Sequence, residues 1–217
     1  AFSSHTSGVI GFVDRKNDPH NQDNNKRTIA NAAAIVQNGD VRGIYHKSFL
    51  PNYSVFDEAR YFSKGTEPNT LFWYDDIAIG INICEDIWIE DGPAEEQVMQ
   101  GASLIININA SPYDIHKSET RKEIVMKKAL KLNVPIIYLN MVGGQDELVF
   151  DGGSFVVNDL GEIIYQASSF KEEVFHLDID LKTNKQNIKS SLVIRPKTIE
   201  LTDVESKASL SKNESIY

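Results

Sequence analysis

The spacing of apolar and polar residues divides the chain into a middle stretch of alternating strands and helices, flanked by hairpins. In IAIGINIC (77–84) isoleucine recurs at every second position. Ile77, Ile79, Ile81 and Ile83 therefore share one face of a strand, and Ala78, Gly80, Asn82 and Cys84 share the other. LIININAS (104–111) repeats the period, with Ile105, Asn107, Asn109 and Ser111 on one face, and VPIIYLN (134–140) is a β-branched strand. Pro93, suited to a first helical turn, opens a helical stretch. Residues 118–132 carry Val125, Ala129 and Leu132 at helical spacing, with Ser118 as the candidate cap.

The flanking segments follow a two-residue period. GVIGFVD (8–14) predicts a strand, and NAAAIVQ and VRGIYHK around Asn38, Gly39 and Asp40 predict a hairpin. SFVVND and EIIYQA predict a second hairpin, and EVFHLDIDL (173–181) a last strand. Residues 15–27 are polar and read as an exposed loop; residues 48–70, with Pro51, Gly65 and Pro68, read as a long irregular loop. Two Gly-Gly pairs make 141–153 a shaped loop. Beyond about residue 182 the chain is rich in Lys, Ser and Thr with little periodicity, which predicts a linker. The pattern as a whole predicts a mixed α/β layered fold.

Composition narrows the function classes. The 217 residues are 41% hydrophobic and 24% charged, the proportions of one ordinary globular domain. A formal net charge of -9 argues against a general nucleic-acid or anionic-membrane binder, both of which need clustered Lys and Arg. No apolar run is long enough to span a bilayer. The single cysteine, Cys84, excludes an intrachain disulfide and suits a reducing, cytoplasmic setting. The opening AFSSHTSG has neither Met nor the features of a signal peptide, and is read as the start of a fragment.

Cys84 is the leading candidate for chemistry. A lone cysteine is ordinarily a small buried hydrophobe. Here it ends a strand and meets a polar turn at Glu85 and Asp86, where a thiol would project above a sheet edge and the next backbone N–H could hold an oxyanion. Lys47 ends the strand VRGIYHK; most lysines are exposed, but an ammonium near Cys84 would favour the thiolate and an anionic intermediate. Glu58, in VFDEARYF, is either a solvated carboxylate or a partner that orients Lys47. The five histidines make no metal-ligand pair, no thiolate cluster is possible, and no phosphate-binding Gly-rich loop ends in Lys-Ser/Thr. No metal site is expected.

Taken together, YHKSFLPNYSVFDEARYF, NICEDIW, NASPY and NMVGGQDELVFDGGSFV resemble, in order, the nitrilase-superfamily glutaminase domain of glutamine-dependent NAD+ synthetases, over roughly residues 8–180. The resemblance implies a four-layer α-β-β-α sandwich and a Cys, Lys and Glu catalytic set. Cys84 matches the nucleophile that attacks glutamine, and Lys47 the lysine that supports the oxyanion. Tyr53 and Ser111 match glutamine-binding residues, Lys117 falls at the place of a basic substrate contact, and Glu85 lines the same pocket. Glu58 matches a supporting position. The family's general-base glutamate lies in an early Pro-Glu segment that has no counterpart here.

The resemblance also sets out the expected organisation. Residues 1–181 form the carbon-nitrogen hydrolase domain, N-terminally truncated and lacking its first strands and helices. Residues 182–217 lead toward an absent ATP-dependent synthetase domain. No cofactor is expected in the hydrolase domain; ATP and Mg2+ belong to the absent one. The expected partners are L-glutamine, the synthetase domain and further copies of the same chain, and the fragment alone is expected to be inactive. Two alternatives are a stand-alone nitrilase-like amidase or carbamoylase, and a non-catalytic nitrilase-fold scaffold. The PNYSVFDE and QDELVFDGG stretches argue against the first, and the joint presence of Lys47, Cys84, Tyr53 and Ser111 against the second.

Overall fold

The computed structural model describes residues 6–16, 28–74, 77–181 and 198–201. β1 (Ser7–Lys16), β2 (Thr28–Gln37) and β3 (Asp40–His46) form an antiparallel three-stranded sheet in that order. Gln37 pairs with Asp40 across the Asn38-Gly39 turn. Both turn residues have positive φ, 56° and 84°, as a two-residue hairpin turn matched to strand twist requires.

A second sheet has seven strands. β4 (Leu71–Tyr74) pairs antiparallel with β5 (Ile77–Ile83), which runs parallel to β6 (Leu104–Asn109) and that to β7 (Ile136–Asn140). A further hairpin, β8 (Val142–Gln145) and β9 (Leu148–Asp151), stands apart from it. The predicted hairpin of β10 (Phe155–Val157) and β11 (Ile163–Gln166) extends the large sheet beside β7. The other edge carries β12 (Thr198–Leu201), parallel to β4.

Two helices supply the crossovers between parallel strands. After the single turn α1 (Glu58–Tyr61) come α2 (Pro93–Met99), between β5 and β6, and α3 (Lys117–Leu132), between β6 and β7. Val125 and Ala129 of α3 and Ala94 of α2 join Ala78, Ile105, Ile136 and Tyr138 of the large sheet in one buried cluster. Behind the sheet, Ile81 and Ile83 meet Ala33, Ile35 and Tyr45 of the small sheet in a second. The layers are thus helix, sheet and sheet, and alternation along β5 assigns its two faces to the two cores. Of the four layers expected, the described residues supply three.

Several expectations need correction. The alternation in IAIGINIC grouped Cys84 with Asn82, yet Cys84 packs with Ile81 and Ile83 between the sheets. The strand ends at Ile83, and Cys84 takes φ 46° as it begins a 3-10 turn, which reverses its side-chain direction. Ser118 does not cap α3, because the helix already starts at Lys117 with His116 at the cap position and no side-chain cap bond. Residues 173–181 form no strand: Glu173 turns back to accept hydrogen bonds from the Ser168 N–H and the Tyr165 hydroxyl, and Val174 is 90% exposed. The Gly-rich 141–153 loop is largely the hairpin β8–β9. The predicted linker contributes β12, and the rest of 182–217 lies outside the described residues, as does 17–27 of the predicted polar loop; residues 15 and 16 already belong to β1.

Gly80 shows how tightly the helix side of β5 is packed. A Cβ there would run into the Gln97 amide of α2 and the Ile105 side chain of β6. Gly80→Ala is expected to cost about 1–3 kcal/mol, the usual range for overpacking, read as a lower Tm with unchanged secondary structure by circular dichroism.

Candidate active site

Three parallel strands end at one edge of the large sheet, and their carboxyl ends carry Cys84 after β5, Ser111 after β6 and Asn140 at the end of β7. Such an edge is where open α/β sheets gather their binding groups. The small sheet delivers Lys47 to the same edge, immediately after β3. The Lys47 N–H donates to the Asn31 carbonyl (2.9 Å) and the Lys47 carbonyl accepts from the Gly65 N–H (2.7 Å), so its backbone is held on both sides.

Lys47 is buried, 1% exposed, which overturns the surface reading. Its charge is compensated by Glu58 at the start of α1, whose carboxylate oxygens lie 2.8 and 2.9 Å from Nζ. A lysine so deeply buried needs this pairing, because an unpaired ammonium in a low dielectric is strongly disfavoured. The pair lines a cavity of about 880 Å3 together with Cys84, Asn31, Asn109 and apolar residues of both sheets.

Cys84 also belongs to a second cleft, of about 280 Å3, which it shares with Tyr53, Phe56, Glu85, Trp88, Ser111 and Lys117. The structure thus brings together all the residues singled out in the sequence. The nucleophile candidate stands between the cavity that holds Lys47 and Glu58 and the cleft that holds Tyr53, Glu85, Ser111 and Lys117.

Within the cleft the polar groups are ordered in advance. The Tyr53 hydroxyl donates to Glu85 Oε2 at 2.8 Å, and Tyr53 packs edge-on against Phe56. Burial, then the bond to Glu85, push the Tyr53 hydroxyl up to about 12, so it stays a neutral donor. The Lys117 ammonium sits 5.4 Å from the centre of the Phe56 ring. Partial burial, then the nearby Arg121, hold Lys117 below the ordinary lysine range. The cleft therefore presents an acidic group and a basic group within one small space.

Ser111 is fixed through its backbone. Its N–H donates to Asn140 Oδ1 at 2.9 Å, and its carbonyl accepts from Arg121 at 2.9 Å. Arg121 is itself held by both oxygens of Asp151, at 2.8 and 2.9 Å. Sequence reasoning missed Arg121, Asn140 and Asp151, and it missed Phe56 and Trp88 as cleft walls. Phe56, Trp88, Asn140 and Asp151 all lie within the motifs quoted above, whereas Arg121 lies outside them.

The electrostatics of the thiol differ from the simple expectation. Lys47 does favour the thiolate, but burial outweighs it, and Glu58 and Glu85 add repulsion, so the Cys84 thiol lies above its ordinary value. The resting side chain is therefore a thiol, and nucleophilic attack requires a base. The positive φ of Cys84 is an uncommon conformation for a residue with a side chain, of the kind that collects at functional sites. Among the described residues, no group of three or more His, Cys, Asp or Glu could hold a metal ion, and no helix is long and apolar enough to cross a membrane.

Known proteins resemble this chain in sequence and in fold. The sequence profile of the carbon-nitrogen hydrolase family matches residues 4–188. A glutamine-dependent NAD(+) synthetase of Thermotoga maritima is 42% identical over 198 residues, covering 88% of this chain and 32% of the relative. One from Acinetobacter baylyi is 40% identical over 177 residues, covering 82% and 31%. The solved glutamine-dependent NAD+ synthetase of Acinetobacter baumannii, in complex with ADP, superimposes with a TM-score of 0.69 at 41% identity, over 76% of this chain and 30% of that one. The chain spans about a third of the length of these relatives. A carbon-nitrogen hydrolase from Helicobacter pylori G27 gives a TM-score of 0.62 at 25% identity, over 67% and 55%.

With Cys84 as the sole thiol, alkylation by iodoacetamide reports on it alone. Because Lys47 is the larger of the two cationic influences on the thiol, Lys47→Met is expected to move the pH profile of alkylation upward, and Lys117→Met to move it upward by less. Equal profiles for wild type and Lys47→Met would contradict the placement of the Lys47 charge.

Proposed function

As the chain belongs to the carbon-nitrogen hydrolase family, we propose that it is the glutamine-hydrolysing part of a glutamine-dependent NAD+ synthetase. One observation carries the reading. A cysteine in a strained turn, close to the charge of a buried Lys47, opens onto a cleft whose walls hold the carboxylates of Glu85 and Asp114 and the basic side chains of Lys117 and His116. Glutamine is a zwitterion with a carboxamide at its far end. Glu85, with Tyr53, suits its α-ammonium, and Lys117 suits its α-carboxylate. Such end-to-end binding places the carboxamide toward Cys84.

In the chemical step, the Cys84 sulfur attacks the carboxamide carbon and the thiol proton passes to a base. The negative charge on the tetrahedral oxygen is met by the Lys47 ammonium and the backbone N–H after Cys84. Collapse of the intermediate breaks the C–N bond, ammonia leaves with a returned proton, and a γ-glutamyl thioester remains for water to hydrolyse. Glu58 keeps Lys47 in place; both its oxygens are engaged by that ammonium, so it is poorly suited to serve as the base. The family's general-base glutamate has no match in this sequence, so low turnover is expected from these residues alone.

The wider assignment follows the relatives. The released ammonia would amidate adenylated nicotinate adenine dinucleotide in an ATP- and Mg2+-dependent synthetase domain, in a cytoplasmic homo-oligomer, with residues 182–217 leading toward that domain. The stand-alone amidase reading is weaker, because a simple amide offers no charges for Glu85 and Lys117 to pair.

Two measurements test the glutaminase reading. A glutamine analogue with a diazoketone in place of the carboxamide is expected to add to Cys84, to be blocked by excess glutamine, and to give no adduct with Cys84→Ser, all read by mass spectrometry. An adduct persisting in Cys84→Ser would refute the assignment. Lys117→Met is expected to weaken glutamine binding about tenfold or more, since a charge-assisted contact contributes about 1.5–3 kcal/mol; an unchanged Kd by calorimetry would remove Lys117 from the site.

A further inference from the structure

The Cys84 turn and the segment that follows Lys47 come from different sheets, and one buried side chain joins them. Asp86 is fully buried two residues after Cys84. Its Oδ1 accepts from the backbone N–H groups of Ser48 (3.1 Å) and Phe49 (2.8 Å), the two residues that follow Lys47. Its Oδ2 accepts from the Ile83 N–H (3.0 Å), immediately before Cys84, and from the Tyr45 hydroxyl (2.9 Å), two residues before Lys47. Each oxygen thus receives two donors, and every donor lies within two residues of Lys47 or Cys84.

We propose that Asp86 is a positioning residue for the reaction: its carboxylate sets the distance and orientation of the Lys47 ammonium relative to the Cys84 thiol. Only a carboxylate has the acceptor capacity for this arrangement. An amide of the same shape has one oxygen, and its NH2 group would face two N–H or O–H donors on the other side. Leaving buried donors unpaired would let one of the two segments move away from the other. The clamp differs from the Lys47–Glu58 pair, which holds the ammonium itself; Asp86 holds the main chain after Lys47, the Tyr45 side chain before it and the turn that carries the sulfur. A tight fit at this point matters because misplacement on the order of 1 Å costs roughly 100-fold in well-oriented reactions.

The inference deepens the glutaminase reading, but its test needs no glutamine. The charged groups acting on the thiol are Lys47, Glu58, Glu85 and Lys117. Loss of the negative charge of Asp86, acting directly, would move the pH midpoint of Cys84 alkylation downward. Loss of Lys47 placement would move it upward. The sign therefore separates the two effects, and a general loss of stability changes the folded fraction without moving the midpoint of the folded protein.

The experiment compares iodoacetamide alkylation across pH for the protein and for Asp86→Asn, Tyr45→Phe, Lys47→Met and the double variant Asp86→Asn/Lys47→Met. The clamp predicts an upward midpoint in Asp86→Asn, a smaller upward shift in Tyr45→Phe, which loses one donor and keeps the ring, and no further upward shift when Asp86→Asn is added to Lys47→Met, where only the direct downward effect of the lost charge remains. It also predicts a loss of about tenfold or more in the rate of adduct formation with the diazoketone analogue in Asp86→Asn. A downward or unchanged midpoint in folded Asp86→Asn, or a shift that persists in full without Lys47, would overturn the proposal. Should Asp86→Asn fail to fold, Tyr45→Phe decides: an unchanged midpoint there overturns it. A wild-type protein that reacts with iodoacetamide but ignores the analogue would defeat the glutaminase reading and leave the clamp standing.

Discussion

Everything at the site depends on the face-to-face packing of two sheets. Lys47 comes from the end of the small sheet and Cys84 from the end of the large one. Neither sheet alone could present both. The apolar layer of Ala33, Ile35, Tyr45, Phe72, Ile81 and Ile83 removes the facing surfaces from water and so holds the sheets in one relation. Hydrophobic packing is not directional, however, and allows small displacements. The directional part comes from polar groups at the sheet edge: the Lys47–Glu58 pair and the hydrogen bonds converging on Asp86.

The same burial creates an electrostatic conflict. A thiol between two sheets is pushed toward its neutral form, and Lys47 offsets this only in part because Glu58 accompanies it. Yet an ammonium at 1% exposure requires a compensating partner, and Glu58 is that partner for Lys47. The site therefore holds a positive charge whose effect on the resting thiol is muted. An oxyanion forming beside Lys47 would add a negative charge where the protein has arranged a preorganised cation. A balance that favours the intermediate over the resting thiolate suits a reaction in which attack and proton removal occur together.

Around this centre, α2 and α3 cover the far face of the large sheet and brace its polar edge. A buried Glu95–Lys128 pair ties the two helices (2.8 Å), and Lys128 also donates to the Ile89 carbonyl. Asn109, Asn107, Asn82 and Gln97 form a hydrogen-bonded row that runs beneath the site from β6 to α2. Arg121 reaches from α3 to the Ser111 carbonyl and to Asp151. The wall that carries Ser111 is thus secured by a helix that also belongs to the hydrophobic core, through Val125 and Ala129.

The sequence by itself determined the local elements wherever periodicity or turn chemistry was strong. Isoleucine alternation marked β5, the Asn38-Gly39 pair marked the β2–β3 turn, and Pro93 marked the start of α2. The candidate residues could also be named, because lysine, cysteine and serine at strand ends stood within motifs. Tertiary structure alone decided which of them meet. The reversal of Cys84 out of the strand alternation depends on a positive φ supported by Asp86, a residue about 40 positions from its partners Ser48, Phe49 and Tyr45. Strand periodicity carries no information on such a bond. The same holds for the failed strand at 173–181: its residues alternate well enough, yet they lie against β11 through side chains, Glu173 accepting from Tyr165 and Phe175 stacking on its ring, without forming a strand. Strand pattern is a property of neighbours in sequence, whereas pairing, burial and charge compensation belong to neighbours in space.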